Sequence, residues 1–147
     1  MINFSYDKYL IIIRRNTMHY MSDKQNNVSE EVGHYSSALQ AGDFVFISGQ
    51  IPIDPATGQI AGHSMKEQCG QALQNLKAVL ESVGATITNI VKTSVYISDL
   101  NEFKNFDKSY GEFMGGHRPA RVCVQVDRLY QDVLIEIEAV AYIGEKG

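Results

Sequence analysis

From Ser36 onward the apolar and polar positions alternate between a period of two and a period of three to four, and each switch predicts an element. "SSALQAGDFVFIS" (36–48) reads as two short strands around Ala41-Gly42-Asp43, where Gly and Asp let the chain reverse into a hairpin. "GQIPIDPATGQI" (49–60) holds two of the three prolines and a Thr-Gly pair, which break any period and predict a surface loop. In "SMKEQCGQALQNLKAVLESVG" (64–84), Cys69, Ala72, Leu73, Leu76, Val79, Leu80 and Val83 recur at helical steps. Ser64 and Glu67 have capping-box spacing at its start, and Gly84 suits a left-handed stop. Cys69 lies on the apolar stripe and reads as a small buried hydrophobe.

"NIVKTSVYISDL" (89–100) sets Val91, Thr93, Val95 and Ile97 against Lys92, Ser94 and Tyr96, which predicts a strand. Asp99 can cap a second helix carrying Leu100, Phe103, Phe106, Tyr110 and Phe113 at three- or four-residue steps, stopped by Gly115-Gly116. Two strands close the chain, "ARVCVQVDRL" and "VLIEIEAVAYI". Their short connection through Tyr130-Gln131-Asp132 predicts an antiparallel hairpin. The order β-β-α-β-α-β-β predicts an α+β fold with both helices on one face of a sheet.

Alternation divides each of the last two strands into faces. "RPARVCVQV" (118–126) predicts Val122, Val124 and Val126 toward the core, with Arg121, Cys123, Gln125 and Asp127 on the other face. In the final strand Ile135, Ile137, Ala139 and Ala141 share one face, and Leu134, Glu136, Glu138, Val140 and Tyr142 the opposite one. A face mixing Arg, Cys, Glu, Val and Tyr is too apolar for open solvent and too charged for a core, which favours a subunit interface with a lined cleft.

Two readings of that face stand side by side. In one, Arg121 and Glu136 form a cross-strand ion pair. In the other, Arg121 offers a planar two-donor edge to a carboxylate ligand, a geometry Lys cannot copy. Glu136, partly desolvated, then has a raised pKa and exchanges protons with a water or a substrate nitrogen. Cys123 is inert lining or a thiol made more acidic by Arg121.

Composition narrows the partners. The chain has 147 residues, 44% hydrophobic and 20% charged, the size and make-up of one globular domain. Its formal charge of −4 argues against nucleic acid as a main partner. Cys69 and Cys123 match neither a disulfide framework nor a zinc spacing and read as reduced thiols, which favours a cytoplasmic location. His19, His34, His63 and His117 are scattered, and no metal site is expected.

Residues 1–27 are set aside as an N-terminal extension outside the fold, with residues 28–147 as the single domain. The apolar run Tyr9 to Ile13 is too short for a membrane span, Arg14 and Arg15 leave a mitochondrial presequence open, and a start at Met18 or Met21 is the alternative.

With these residues laid out, the chain resembles the RidA (YjgF-type) family of enamine/imine deaminases. The segments that carry the resemblance are "YSSA", "ISGQIPIDPATGQI", "QALQNLKAVLESVGAT", "IVKTSVYISDLNEF", "RPARVCVQVDRL" and "VLIEIEAVA". The resemblance implies a chorismate-mutase-like fold assembled as a homotrimer, with ligand sites in clefts between subunits. It also implies hydrolysis, without metal or cofactor, of reactive intermediates such as 2-aminoacrylate and 2-iminopropanoate to a 2-oxo acid and ammonia. By position, Arg121 corresponds to the residue that grips the substrate carboxylate and Cys123 lines the pocket beside it. Glu136 corresponds to the acid that orients or activates water, and Tyr35, Ser48 and Gly49 to pocket residues of the early strands.

Several positions depart from the family pattern. His34 replaces a proline beside Tyr35, and Asp107 replaces an asparagine, adding a negative charge that disfavours a carboxylate ligand if it faces the site. "RLYQD" lacks a proline and a basic residue, and Arg118 is an added cation ahead of the arginine strand. These departures keep open a non-catalytic trimeric module that binds 2-oxo acids or proteins. The ribonuclease activity attached to some family members is disfavoured by the acidic balance. The deaminase reading expects the Arg121 guanidinium to be held ready at a subunit seam, without a permanent protein counter-ion.

Overall fold

The computed structural model describes residues 34–145, together with the backbone of residues 9–14 and 17–22. The first hairpin of the pattern forms where it is expected, but two earlier strands precede it in the chain. Numbered in chain order, the strands are β1 (Tyr9–Arg14), β2 (Thr17–Ser22), β3 (Ala38–Ala41), β4 (Phe44–Gln50), β5 (Ile90–Ile97), β6 (Ala120–Gln125) and β7 (Ile135–Tyr142). The helices are α1 (Met65–Ser82) and α2 (Phe103–Met114). All the strands join one sheet in the order β2-β1-β3-β4-β7-β5-β6.

β3 and β4 pair antiparallel across Gly42-Asp43, and Gly42 takes the positive φ of 60° that this tight reversal needs. β1 and β2 form an antiparallel hairpin that adds to the β3 edge in parallel, with Leu10 opposite Ala38. These backbone segments belong to the stretch that the sequence reading kept outside the fold. The rest of residues 1–27 lies outside the described residues.

α1 begins with the capping box its sequence encodes. The Ser64 hydroxyl accepts from the Glu67 amide at 3.3 Å, and the Glu67 carboxylate accepts from the Ser64 amide at 3.0 Å. Gly84 follows with φ of 74° and closes it. Gln68 is buried on α1, where its Oε1 accepts from the Leu134 amide at 2.7 Å and ties the helix to the start of β7. Asn75 donates to the carbonyls of Ile51 and Ile53, both at 2.9 Å, so the Pro-rich loop is pinned to α1.

The core lies between the helices and one sheet face. Leu73, Leu76 and Leu80 of α1 and Phe106 of α2 are fully buried against Val45, Val95, Ile97, Ile135 and Ile137. Burying each such side chain stabilises the fold by roughly 1.5–3 kcal/mol. Phe106 meets Phe103 and Tyr110 ring to ring, and the Tyr110 hydroxyl shares a buried hydrogen bond with Thr93 Oγ1 at 2.8 Å. The α+β fold with two helices on one face is therefore the one expected.

The last two strands do not form the expected hairpin. β6 pairs in parallel with β5, and β5 pairs antiparallel with β7, so β5 lies between them. α2 supplies the crossover that a parallel β5–β6 pair requires. Residues 126–134 then pass over the end of β5, where the Val126 amide donates to the Ile97 carbonyl at 2.9 Å and the Ser98 amide to the Leu134 carbonyl at 3.0 Å. Two strand spacings are only about 10 Å, well within the reach of that segment. Among the described residues, no helix is long and apolar enough to cross a membrane.

Candidate active site

The parallel register sets which way β6 faces. Arg121 is opposite Thr93 and Cys123 opposite Val95, both of which point into the helix-covered core. Arg121 and Cys123 therefore lie on the helix side, while Val122 and Val124 lie on the open face, 45% and 40% exposed. This inverts the expected assignment. The reason is that parallel pairing with β5 turns Arg121 and Cys123 the same way as Thr93 and Val95, toward α2. The Arg121 guanidinium carbon sits 5.8, 5.1 and 4.7 Å from the ring centres of Phe103, Phe106 and Tyr110.

Arg121 also has a counter-ion in its own chain, contrary to expectation. Its Nη2 lies 2.7 Å from Oδ1 of Asp107, one residue beyond Phe106 on α2. The reading of Arg121 and Glu136 as a cross-strand ion pair does not survive, because β5 separates their strands and the two side chains occupy opposite faces. The Arg121 side chain nevertheless stays 25% exposed. Cys123 beside it is half-buried, and burial raises its thiol pKa more than Arg121 lowers it, with Asp107 adding to the rise. That favours inert lining over an activated nucleophile.

Glu136 stands on the open face next to Glu138. Burial raises its carboxyl pKa above the ordinary value, and the Glu138 charge raises it further, as the desolvation argument expected. Tyr96, across from it on β5, donates to Glu138 Oε1 at 3.3 Å. Between Ile47/Ala139 and Gln50/Ile137 the β4–β7 register shifts, a bulge that brings Gly49 against Glu136. A methyl group on Gly49 would collide with the Glu136 carboxylate, so the missing side chain makes room for the acid.

The other expected residues are near that end of the sheet. Ser48 lies in the same bulge, and its hydroxyl donates to the Ser36 carbonyl at 2.6 Å, tying the strand to the segment that carries Tyr35. Tyr35 is exposed. The structure thus places the expected residues in two groups: Glu136, Gly49 and Ser48 on the open face, and Arg121 with Cys123 on the helix side. Asp107 and the three aromatic rings were not among the expected site residues. The stripe of α2 was visible in the sequence, but only as core. Among the described residues, no cluster of His, Cys, Asp or Glu could hold a metal ion.

A two-helix, single-sheet domain with a rim arginine on an aromatic bed and a desolvated acid beside a glycine bulge defines a class of small α+β domains. The chain belongs to the endoribonuclease L-PSP family (YjgF/RidA/RutC), whose model matches residues 26–143. It is 49% identical to a RutC family protein of Pyrococcus horikoshii over 79% of this chain and 92% of that one. It is also 43% identical to the 2-iminobutanoate/2-iminopropanoate deaminase of Salmonella typhimurium, over 78% of this chain and 91% of that one. Among solved structures, the YjgF gene product of E. coli matches with a TM-score of 0.75 at 39% identity, covering 79% and 93% of the two chains. E. coli TdcF with bound serine matches with a TM-score of 0.76 at 38% identity, covering 80% and 95%.

Proposed function

We propose that the protein hydrolyses reactive 2-imino acids and their enamine tautomers to 2-oxo acids and ammonia, in clefts between the copies of a homotrimer. The observation that carries this reading is the pair of half-sites on opposite faces of one sheet. A guanidinium that can grip a carboxylate and a carboxyl group with a raised pKa belong to one reaction only if a second copy brings its half-site to the first. The open face suits such packing, because Phe44, Phe46, Val122 and Val124 are exposed there as large apolar side chains.

In the proposed reaction Arg121 holds the substrate carboxylate through charge-assisted hydrogen bonds. An enamine first gains a proton at its terminal carbon and becomes the iminium ion, the protonated imine. Water then adds to the C=N carbon while Glu136 of a neighbouring copy accepts its proton, giving a carbinolamine. Glu136 returns that proton to nitrogen, the C–N bond breaks, ammonia leaves, and the hydroxyl proton departs to leave the ketone. A carboxyl with a raised pKa is suited to both transfers, because it exchanges a proton nearer neutral pH than an exposed one. The deaminase-named relatives at 41–43% identity support the same reaction.

The test couples an amino-acid oxidase to produce 2-iminopropanoate and follows its disappearance. Accelerated loss with wild type, abolished by Arg121→Ala, is expected together with a trimer mass in solution. Equal rates with protein, variant and buffer would refute the enzyme reading.

A further inference from the structure

We infer that Asp107 makes this site select zwitterionic 2-imino and 2-amino acids over the 2-oxo acids that lack their nitrogen. This inference rests on the reading that Arg121 grips a ligand carboxylate, and it concerns the charge beside that grip. Asp107 lies in the turn of α2 between Phe106, fully buried, and Tyr110, also buried, so core packing fixes where its backbone sits. The same rings hold Arg121 in place from the other side. The Nη2–Oδ1 contact at 2.7 Å is thus set by the fold at both ends, while the Asp107 side chain stays 51% exposed.

The chemistry of the pair follows from counting donors and acceptors. A guanidinium has five N–H donors and a carboxylate about four lone-pair positions, so one short contact cannot consume either group. The contact differs from Arg128–Asp132, in which Nε and Nη2 both donate to one carboxylate. What faces the ligand is a positive group and a negative group side by side with a net charge of zero. A 2-oxo acid brings only an anion, attracted by Arg121 and repelled by Asp107. A protonated imino acid or an amino acid brings an anion and, on the adjacent carbon, a cationic N–H donor, and so matches both.

The consequence for turnover is directional. Hydrolysis replaces the cationic nitrogen by a neutral carbonyl oxygen, so the product loses its contact with Asp107 and keeps the repulsion. The substrate is held and the product is released by the same carboxylate. An asparagine at this position offers no such charge, which gives the departure from the family pattern a function.

Calorimetry with the full chain tests this, using L-alanine and pyruvate, which share a carbon skeleton and differ in the nitrogen. Wild type is expected to bind alanine more tightly than pyruvate. In Asp107→Asn, and in Asp107→Ser as a second variant, alanine should weaken and pyruvate strengthen, each by about fivefold, the scale of a half-exposed charge contact. A ratio of the two affinities unchanged within twofold in both variants, a wild-type preference for pyruvate, or no binding of either ligand would overturn the inference. Imine hydrolysis with an unmoved ratio would sink the selectivity and leave the deaminase standing. A wild-type preference for alanine that shifts toward pyruvate in both variants, without hydrolysis, would do the reverse.

Discussion

Substituting Gly49 by Ala separates the position of Glu136 from the stability of the domain. The added carbon would lie 2.8 Å from Glu136 Cδ and 3.0 Å from Cγ. Restoring an ordinary carbon–carbon separation of about 3.5 Å moves the carboxyl carbon by roughly 0.7 Å, and the oxygen that meets the new methyl group moves further. A misplacement on that scale costs about 10²-fold in a positioned reaction, within the ~10²–10⁴ that proton transfer supplies. Stability should change little. Forcing Glu136 off its rotamer costs about 0.5–1.5 kcal/mol, and removing a strand glycine returns about 0.5–1 kcal/mol, since Gly49 does not occupy the left-handed region that favours glycine. The expected result is a kcat on 2-iminopropanoate lowered about 10²-fold, with a urea midpoint near wild type. Glu136→Gln should lower kcat at least as far, and adding Gly49→Ala to it should do no further harm, because both changes act on one carboxyl group. Wild-type kcat in Gly49→Ala, or additive losses in the double variant, would refute the reasoning.

Three further outcomes follow from the same structure. Because folding raises the Glu136 pKa above 4.5, the native state binds that proton more tightly than the unfolded chain, and this contribution is lost as pH rises through the folded value. Thermal melts of Glu136→Gln against wild type should therefore diverge in the variant's favour as pH rises from about 4, and a constant difference would contradict the shift. Phe106→Ala, which empties a fully buried ring site, should cost about 3–5 kcal/mol in urea unfolding; a loss under about 1 kcal/mol would show that the ring is not a core element. Cys69 is sealed and burial pushes its thiol up to about 12, whereas Cys123 is half-buried and less shifted. Iodoacetamide should then modify Cys123 before Cys69 in native protein, as read by peptide mass mapping, and the opposite order would contradict the burial.

Local pattern alone determined a large part of this molecule. The capping box at Ser64 and Glu67, the apolar stripe of α1, the aromatic stripe of α2 and the turn at Gly42 each rest on contacts within a few residues, and alternation correctly grouped Arg121 with Cys123 and Glu136 with Glu138. Burial next to apolar neighbours was also enough to give the direction of the Glu136 shift. Tertiary structure decided which group of each strand faces the helices, because alternation has parity but no sign. It inserted β5 between β6 and β7, since a connection long enough to cross one strand carries no local mark of doing so. It thereby put Arg121 and Glu136 on opposite faces and gave Arg121 to Asp107, a partner contributed by the helix packed over its strand rather than by a neighbour along the chain.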